Sequence, residues 1–504
     1  MAALRINILA NYAGHMWIAA IGLVFLPLYT RILGMEAFGL VGLMLSLQAV
    51  MQLFDFGIGG TVNRELSRRV YDAAQADNSR DLLRTAETTI WLLAALAALL
   101  VWIGSGPMAE HWLHLQTLGR DQAGTAIAIM GVAIALLWPS TFYANCLSGL
   151  ERQPALNLIN AAFATLRYAG VVPVLIWAAS TIEAFLWWHA IVGLVQSLVM
   201  AVAVWRALPS GKRNARWSAL ELLRNRSFAG GLFAIGVLSV VITQIDRLAL
   251  ASLRPLEEVG YYTLALSVAA GLGRMVQPMF NALYPRFSRL VSRHDEKTLR
   301  ELYHLSSQYL AVVIASMTSI LIIFSWDILV LWTGDAMVAD RVALPMAILV
   351  TGTALNGLMN IPYALQLANG WTRLALGLNA VSLVLIIPLC FWAVPRHGMV
   401  GASVLWLVPN LISVAMGVPL MHRRLLRGQA VPWLLRDNLP PLLAGLGVAL
   451  ALRALFPVLP RSLSGLAVLA LASGLTLLGC ALTAPAVRAA MWRRMSSYFD
   501  ELFQ

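Results

Sequence analysis

Charge is scarce in this chain and lysine is almost missing. Of 504 residues only 12% are charged, and the only lysines are Lys212 and Lys297. A soluble protein of that length would divide into several domains and carry about a quarter charged residues. Instead 60% of the residues are hydrophobic. Cysteine is as thin: Cys146, Cys390 and Cys480 lie apart, within or beside apolar segments. They show no CxxC or metal-ligand spacing, so neither a disulfide framework nor a redox motif is indicated. A cleavable leader is missing too. The apolar run from Arg5 to Thr30 is too long for a signal peptide and lacks a small-residue cleavage site, so it reads as a first membrane span.

What the chain has is uncharged length. Residues 7–30, 88–109, 184–205, 227–245, 302–326, 342–372, 374–395 and 462–487 contain no Asp, Glu, Lys or Arg. Each is long enough to cross roughly 30 Å of hydrocarbon as a helix. The pattern predicts an all-α membrane protein of about fourteen transmembrane helices. Approximate spans are 7–30, 37–61, 86–106, 124–145, 157–178, 182–205, 228–250, 258–282, 304–325, 342–365, 373–393, 398–420, 439–457 and 463–484.

The formal charge of +12 is no nucleic-acid signature, because the basic residues crowd into every second loop. Arg64, Arg68, Arg69, Arg80 and Arg84 follow span 2, and Lys212, Arg213 and Arg216 follow span 6. Arg286, Arg289 and Arg293 follow span 8, Arg423, Arg424 and Arg427 follow span 12, and Arg488, Arg493 and Arg494 lie in the tail. Basic loops resist translocation, so both termini are expected in the cytoplasm. Trp177, Trp187, Trp188, Trp205, Trp326, Trp332, Trp392 and Trp433 lie near span ends, where indoles anchor in the headgroup region.

An ungapped offset of 221 superposes Glu36, Gly39 and Ser46 on Glu257, Gly260 and Ser267. It also pairs Arg68 with Arg289, Gly149 with Gly370, Arg152 with Arg373, and Arg206 with Arg427. An offset of six spans keeps both halves in one orientation, as in parallel-repeat transporters. The expected organisation is a six-helix bundle over 1–206, a basic cytoplasmic linker over 207–227 and a second six-helix bundle over 228–427. Two extra helices and a basic tail fill 428–504. A repeat of this kind places a substrate site at the repeat interface.

Polar residues at membrane depth are the candidates for that site. Asn7, Asn11 and His15 recur on one face of span 1, and Gln48, Gln52 and Asp55 on one face of span 2. Ser239, Thr243 and Asp246 run along span 7 beside Gln244 and Arg247, while Ser267, Arg274, Gln277 and Asn281 share a face of span 8. Asn160 and Arg167 lie in span 5. Amides often only glue helices together. Charges at this depth usually face a bundle interior or a water-filled cavity. Arg274 and Arg167 lie near mid-span and are permanently positive, although either can pair with a carboxylate. Asp55 and Asp246 are candidates for such pairing or for carrying a coupling proton. His15, and after it His189, are alternatives because imidazole titrates near neutrality. Guanidinium suits phosphate and amides suit hydroxyl-rich sugars, so the cargo is expected to be polar and anionic.

Several segments resemble the polysaccharide transporter family, the Wzx-type oligosaccharide flippases of the multidrug/oligosaccharidyl-lipid/polysaccharide exporter superfamily. They are Pro27-Leu-Tyr-Thr-Arg31-Ile-Leu-Gly34 with Glu36-Ala-Phe-Gly39-Leu, and Leu53-Phe-Asp55-Phe-Gly57 with Arg64. Ser148-Gly149-Leu-Glu151-Arg152, Gln244-Ile-Asp246-Arg247 and Tyr284-Pro285-Arg-Phe-Ser288 follow in family order across spans 1–12. The resemblance implies a flippase, not an enzyme, that moves undecaprenyl-diphosphate-linked oligosaccharide across the bacterial inner membrane for O-antigen or exopolysaccharide assembly. It implies a cationic cavity lined by spans 1, 2, 7 and 8, with Arg31, Arg247 and Arg274 beside the diphosphate or acidic sugars. Arg167 joins them from the reading of span 5. Asn11, Gln52, Thr243, Gln277 and Asn281 would line the cavity. Asp55, Asp246 and His15 are candidates for H+ or Na+ coupling, and no other cofactor and no metal is expected. Expected partners are the lipid-linked oligosaccharide, membrane lipids and a polysaccharide polymerase or export machinery. A multidrug or cation antiporter predicts a carboxylate-dominated cavity, whereas in the N-terminal half only Asp55 sits at depth. A lipid II flippase shares the chemistry and stays open. A glycan polymerase or ligase needs an ordered outer loop, and the longest here are 107–123 and 326–341.

Overall fold

A computed structural model describes residues 2–69, 75–211, 213–218 and 226–502, with no side chains described for 2–13, 15, 226–235 and 494–502. Lys212 and residues 219–225 of the expected linker, and the side chains of Asn7, Asn11 and His15, therefore lie outside the described residues. The chain divides into two compact units, Met1–Gly260 and Tyr261–Gln504.

The first unit contains α1 (Ala2–Leu33), α2 (Met35–Met51), α3 (Ile58–Arg69), α4 (Ala76–Pro107), α5 (Arg120–Gly149), α6 (Gln153–Tyr168), α7 (Ile182–Ala207) and α8 (Arg226–Leu253). Helix α5 is its centre, packing on α4, α7 and α3, while α6 lies against α1. At one end, Ile58, Val62, Leu66, Leu82, Ala86, Phe142, Tyr143, Met200 and Val204 form a closed apolar cluster. Side chains such as Leu92, Leu100, Trp102, Ile103 and Ile191 point outward. That inversion suits a hydrocarbon solvent, in which apolar surface needs no cover.

Span 2 departs from its expected single helix over 37–61. Helix α2 ends at Met51, a 3-10 turn covers Gln52–Asp55, and Phe56 and Gly57 take left-handed φ of 46° and 75° before α3 begins. The Asp55 carboxylate accepts the Gly59 N–H at 3.0 Å. It thereby satisfies one of the donors a helix start leaves open. The loop before α5 is held by Glu36, which accepts from the backbone N–H of Gln116 at 2.6 Å, Thr117 at 2.7 Å and Leu118 at 3.1 Å, and from the Thr117 hydroxyl.

Helix α9 (Leu256–Ser292) starts in the first unit and continues into the second. Its beginning crosses the beginning of α2 through bare backbone. A Cβ on Gly39 would collide with the Leu256 carbonyl oxygen, and one on Gly260 with the Met35 carbonyl oxygen. Both pairs obey the 221 offset.

The second unit continues with α10 (Glu296–Ile323), α11 (Ser325–Thr333), α12 (Ala336–Leu358), α13 (Asn360–Ala368), α14 (Arg373–Ile412), α15 (Val418–Arg424), α16 (Leu439–Leu455), α17 (Leu463–Thr483) and α18 (Pro485–Leu502). Helix α10 is the hub and touches α12, α16 and α17. Helix α14 is two helices joined at Gly398, whose φ of 52° and ψ of −130° are not helical. A Cβ on Gly401 would strike the Ala393 carbonyl. Eight residues of straight helix would hold those groups about 12 Å apart, so the chain reverses there. The α16–α17 pair is fastened to α10 by Asp437, which accepts from His304 Nδ1 at 2.5 Å and the Gln308 amide at 2.8 Å. At the opposite end of α16, Arg453 meets Asp327 at 2.5 Å.

Among the described residues, twelve segments are long and apolar enough to span a membrane. One of them, Arg373–Arg424, contains the reversal at Gly398. The 37-residue α9 is not among the twelve; Arg274, Gln277 and Asn281 make it too polar.

Candidate functional site

Polar groups inside the first unit gather around Arg167. It follows Asn160 by two turns of α6, so both reach the same side. The Arg167 guanidinium donates to the Gln196 carbonyl oxygen, and the Gln196 amide donates to Asn160 Oδ1 at 3.2 Å. Arg167 Nε is buried with no acceptor. Two turns earlier on α7, His189 is buried and holds the Phe185 carbonyl through Nδ1 at 2.8 Å. A carbonyl only accepts, so Nδ1 carries the proton and Nε2 is left as an acceptor. The imidazole stacks on Phe185 with centroids 4.1 Å apart.

On α8 the Asp246 carboxylate is buried and accepts the Arg247 N–H at 2.8 Å. Thr243 donates to the Ser239 carbonyl at 2.9 Å and accepts from Gln244 at 3.3 Å. Gln244 Oε1 and Arg247 Nε are buried without partners. Gln52 is exposed in the turn after α2, and Arg31 is exposed in the last turn of α1. A cation in a helix's last turn complements the dipole.

In the second unit Arg274, Gln277 and Asn281 are all exposed. They stand at i, i+3 and i+7 on α9, one continuous face. The Gln277 amide donates to Asn281 Oδ1 at 3.2 Å. Arg274 is the midpoint residue of Leu256–Ser292. Roughly 27 Å of helix lies on each side of it. Thus Arg274, Gln277 and Asn281 come together, as do Arg167 and Asn160, while Asp55 is occupied as a cap.

Two features escaped the sequence reading. Acidic hubs collect the arginines that topology alone seemed to explain. Glu65 meets Arg64 at 3.0 Å and Arg69 at 3.1 Å, and Glu87 meets Arg84 at 2.7 Å. Asp81 binds Arg213, whose pKa is pushed up by that hydrogen bond. The i,i+3 and i,i+4 pairs carried a readable spacing; the Asp81–Arg213 pair did not. The second feature is a cavity of about 300 Å³ in the second unit, lined by Asn356, Asn360, Tyr363, Gln366, Asn379 and Ser413 with Met359, Ala375 and Leu378. Its signal was the four-residue step from Asn356 to Asn360, hidden because uncharged amides commonly serve as glue.

The family model for "Polysaccharide biosynthesis protein" matches residues 4–291. The chain belongs to that family. A second family model, MatE, matches residues 233–392 of this family member. A Shigella flexneri protein named "Putative O-antigen transporter" is 21% identical to it over 413 residues, covering 81% of this chain and 95% of that one. Among solved structures, the lipid II flippase MurJ in an inward closed conformation superposes with a TM-score of 0.66 at 11% identity, covering 97% of this chain and 99% of that one. An inward-facing MATE-family multidrug transporter of the MOP superfamily superposes with a TM-score of 0.63 at 12% identity, covering 83% and 94%. This family member, with twelve segments fit to span a membrane among its described residues, shares its all-α fold with both of those structures.

Proposed function

We propose that this family member flips a diphosphate-linked lipid oligosaccharide from the cytoplasmic to the periplasmic leaflet of the bacterial inner membrane, both termini lying in the cytoplasm. The observation that carries the reading is the exposed face of Arg274, Gln277 and Asn281 midway along α9. A guanidinium facing hydrocarbon at mid-depth costs several kcal/mol. A water-filled, cationic cavity removes that cost and offers the diphosphate a bidentate partner. The amides below it suit glycosyl hydroxyls. Arg31, Arg167 and Arg247 are the other cationic candidates, with Asn11, Gln52 and Thr243 along the path. Cargo movement is coupled to H+ or Na+ through Asp246, Asp55 or His15, and a polysaccharide polymerase or export machinery receives the product. The family match and the relative named for O-antigen transport support this cargo over a drug.

The test is surface glycan in cells carrying variants. Arg274→Ala abolishes it while membrane insertion persists, and Arg274→Lys partly restores it through charge. A deletion strain accumulates lipid-linked precursor on the cytoplasmic leaflet. Wild-type glycan with Arg274→Ala removes Arg274 from the path. Precursor that fails to accumulate in the deletion strain removes the flippase reading itself.

A further inference from the structure

The amide-lined cavity of the second unit is bounded by two interruptions in helix geometry. The first separates α12 from α13 at Met359, with ψ of −8°. Its cause is Pro362, which has no N–H to offer the Leu358 carbonyl and whose ring crowds that turn. The second is a wide π-turn at Ser413–Gly417 in the stretch linking α14 to α15. It follows Pro409, and such turns recur at functional sites. Asn356, Asn360, Tyr363 and Gln366 come from either side of the first interruption, Ser413 opens the second, and Asn379 faces both from α14.

Part of this polarity is spent on structure. The Asn356 amide donates to Asn410 Oδ1 at 2.9 Å, and the Asn360 amide to the Asn356 carbonyl at 3.0 Å. Gln366 differs: it is 2% exposed, it lines the cavity, and its Oε1 has no partner. A buried amide oxygen left open in a polar, roomy site calls for a donor. The Tyr363 ring stacks on Phe280, and Phe280 stacks on Tyr284, with centroids 6.0 and 6.1 Å apart.

We infer that this cavity binds an uncharged glycosyl residue of the cargo, its hydroxyls meeting Gln366, Asn379 and Ser413 and its ring lying near Tyr363. The assignment rests on the flippase reading for the source of the sugar. Among the described residues, no charged side chain lines the cavity. A sugar carboxylate would therefore be buried unpaired, at a cost that excludes it. The volume of about 300 Å³ stands at the small end of ligand pockets and holds one monosaccharide rather than a chain. In the proposed orientation these residues lie in the cytoplasmic half, where cargo is loaded. Charge recognition at Arg274 and hydroxyl recognition here would then read different parts of one molecule.

The experiment is saturation-transfer NMR on the full chain in lipid nanodiscs, with methyl glycosides of glucose, galactose and mannose as probes and methyl glucuronide as the charged control. At least one neutral glycoside gives a transfer signal, the glucuronide gives none, and both Asn379→Leu and Gln366→Met weaken binding about tenfold. Asn379 is only half-buried, so its variant keeps the test valid if Gln366→Met misfolds. Signals unchanged in the folded variants overturn the proposal, as does silence from every neutral glycoside with wild-type protein. Sodium binding that Asn379→Leu abolishes, in the absence of any sugar signal, assigns the amides to a cation and also overturns it. Glycoside binding with no precursor accumulation in the deletion strain sinks the flippase reading and spares the cavity. Accumulation without glycoside binding does the reverse.

Discussion

The polar interiors of the two units are built on opposite plans. Around Arg167 the groups consume one another: guanidinium to Gln196, Gln196 to Asn160, and His189 to its own helix. Around Gln366 they leave space, with amides facing a cavity and one carbonyl unanswered. The first arrangement resembles a fastening and the second a receptacle. Charge alone would have ranked them the other way, because the arginine draws the eye and the amides do not. What separates them is that the Arg167 guanidinium bonds directly to Gln196, whereas the amides border a cavity of about 300 Å³; an unpartnered buried atom occurs in both, Arg167 Nε in one and Gln366 Oε1 in the other.

The largest effect that could break this contrast is at Arg167. Arg167→Met should lower stability by about 2–4 kcal/mol, since the Gln196 carbonyl oxygen loses its charged donor and the Gln196–Asn160 bond loses its anchor. Thermal unfolding of the purified protein measures it. A variant of wild-type stability that loses surface glycan would instead make Arg167 part of the cargo path. Next is Glu36→Gln, which replaces an acceptor of four hydrogen bonds by a group that must turn an N–H2 toward donors. About 1.5–3 kcal/mol is expected to be lost, with faster amide exchange at 116–118 as the local readout. Asn379→Leu should cost less than about 0.5 kcal/mol, although it empties the receptacle of function; a large loss would show the amides to be fastenings as well.

The smallest effect concerns pH. Asp295 caps α10 through the Thr298 N–H at 3.1 Å. Hydrogen bonds from the Thr298 side chain and backbone hold its carboxyl below the ordinary carboxylate range. A folded-state value that is depressed means the contribution is fully present above the unfolded pKa, near 4, and fades as pH falls through the folded one. Asp295→Asn keeps the cap without the titration. Its acid unfolding should therefore start from similar stability at neutral pH and show a slightly flatter limb below about pH 4.

Much of the architecture was legible in the sequence because hydrocarbon imposes simple rules. Uncharged runs of span length gave the membrane helices, and proline and glycine marked some of their breaks. The reversal at Gly398 fell where two expected spans, 373–393 and 398–420, abut. The interruption of span 2 at 52–57 was not foreseen. Its residues are apolar enough to continue a helix, and the break is made by the Asp55 cap and the left-handed Phe56 and Gly57. The polar stripe of Arg274, Gln277 and Asn281 was readable because its members share one helix. The cavity was not, since its lining comes from α12, α13, α14 and the Ser413 turn, which periodicity within one helix cannot join. Asp81 and Arg213 stood beyond reach for the same reason, being 132 positions apart.

The crossing of α2 with the start of α9 carries one more consequence. Met35 and Leu256, like Gly39 and Gly260, stand 221 apart, so a single contact is made twice in opposite senses. Neither glycine can take a side chain without pressing on a carbonyl oxygen of the facing helix. Because backbone rather than a flexible side chain stands in the way, alanine at either position must spread the two helix beginnings apart, and the closeness of the crossing depends on both positions at once.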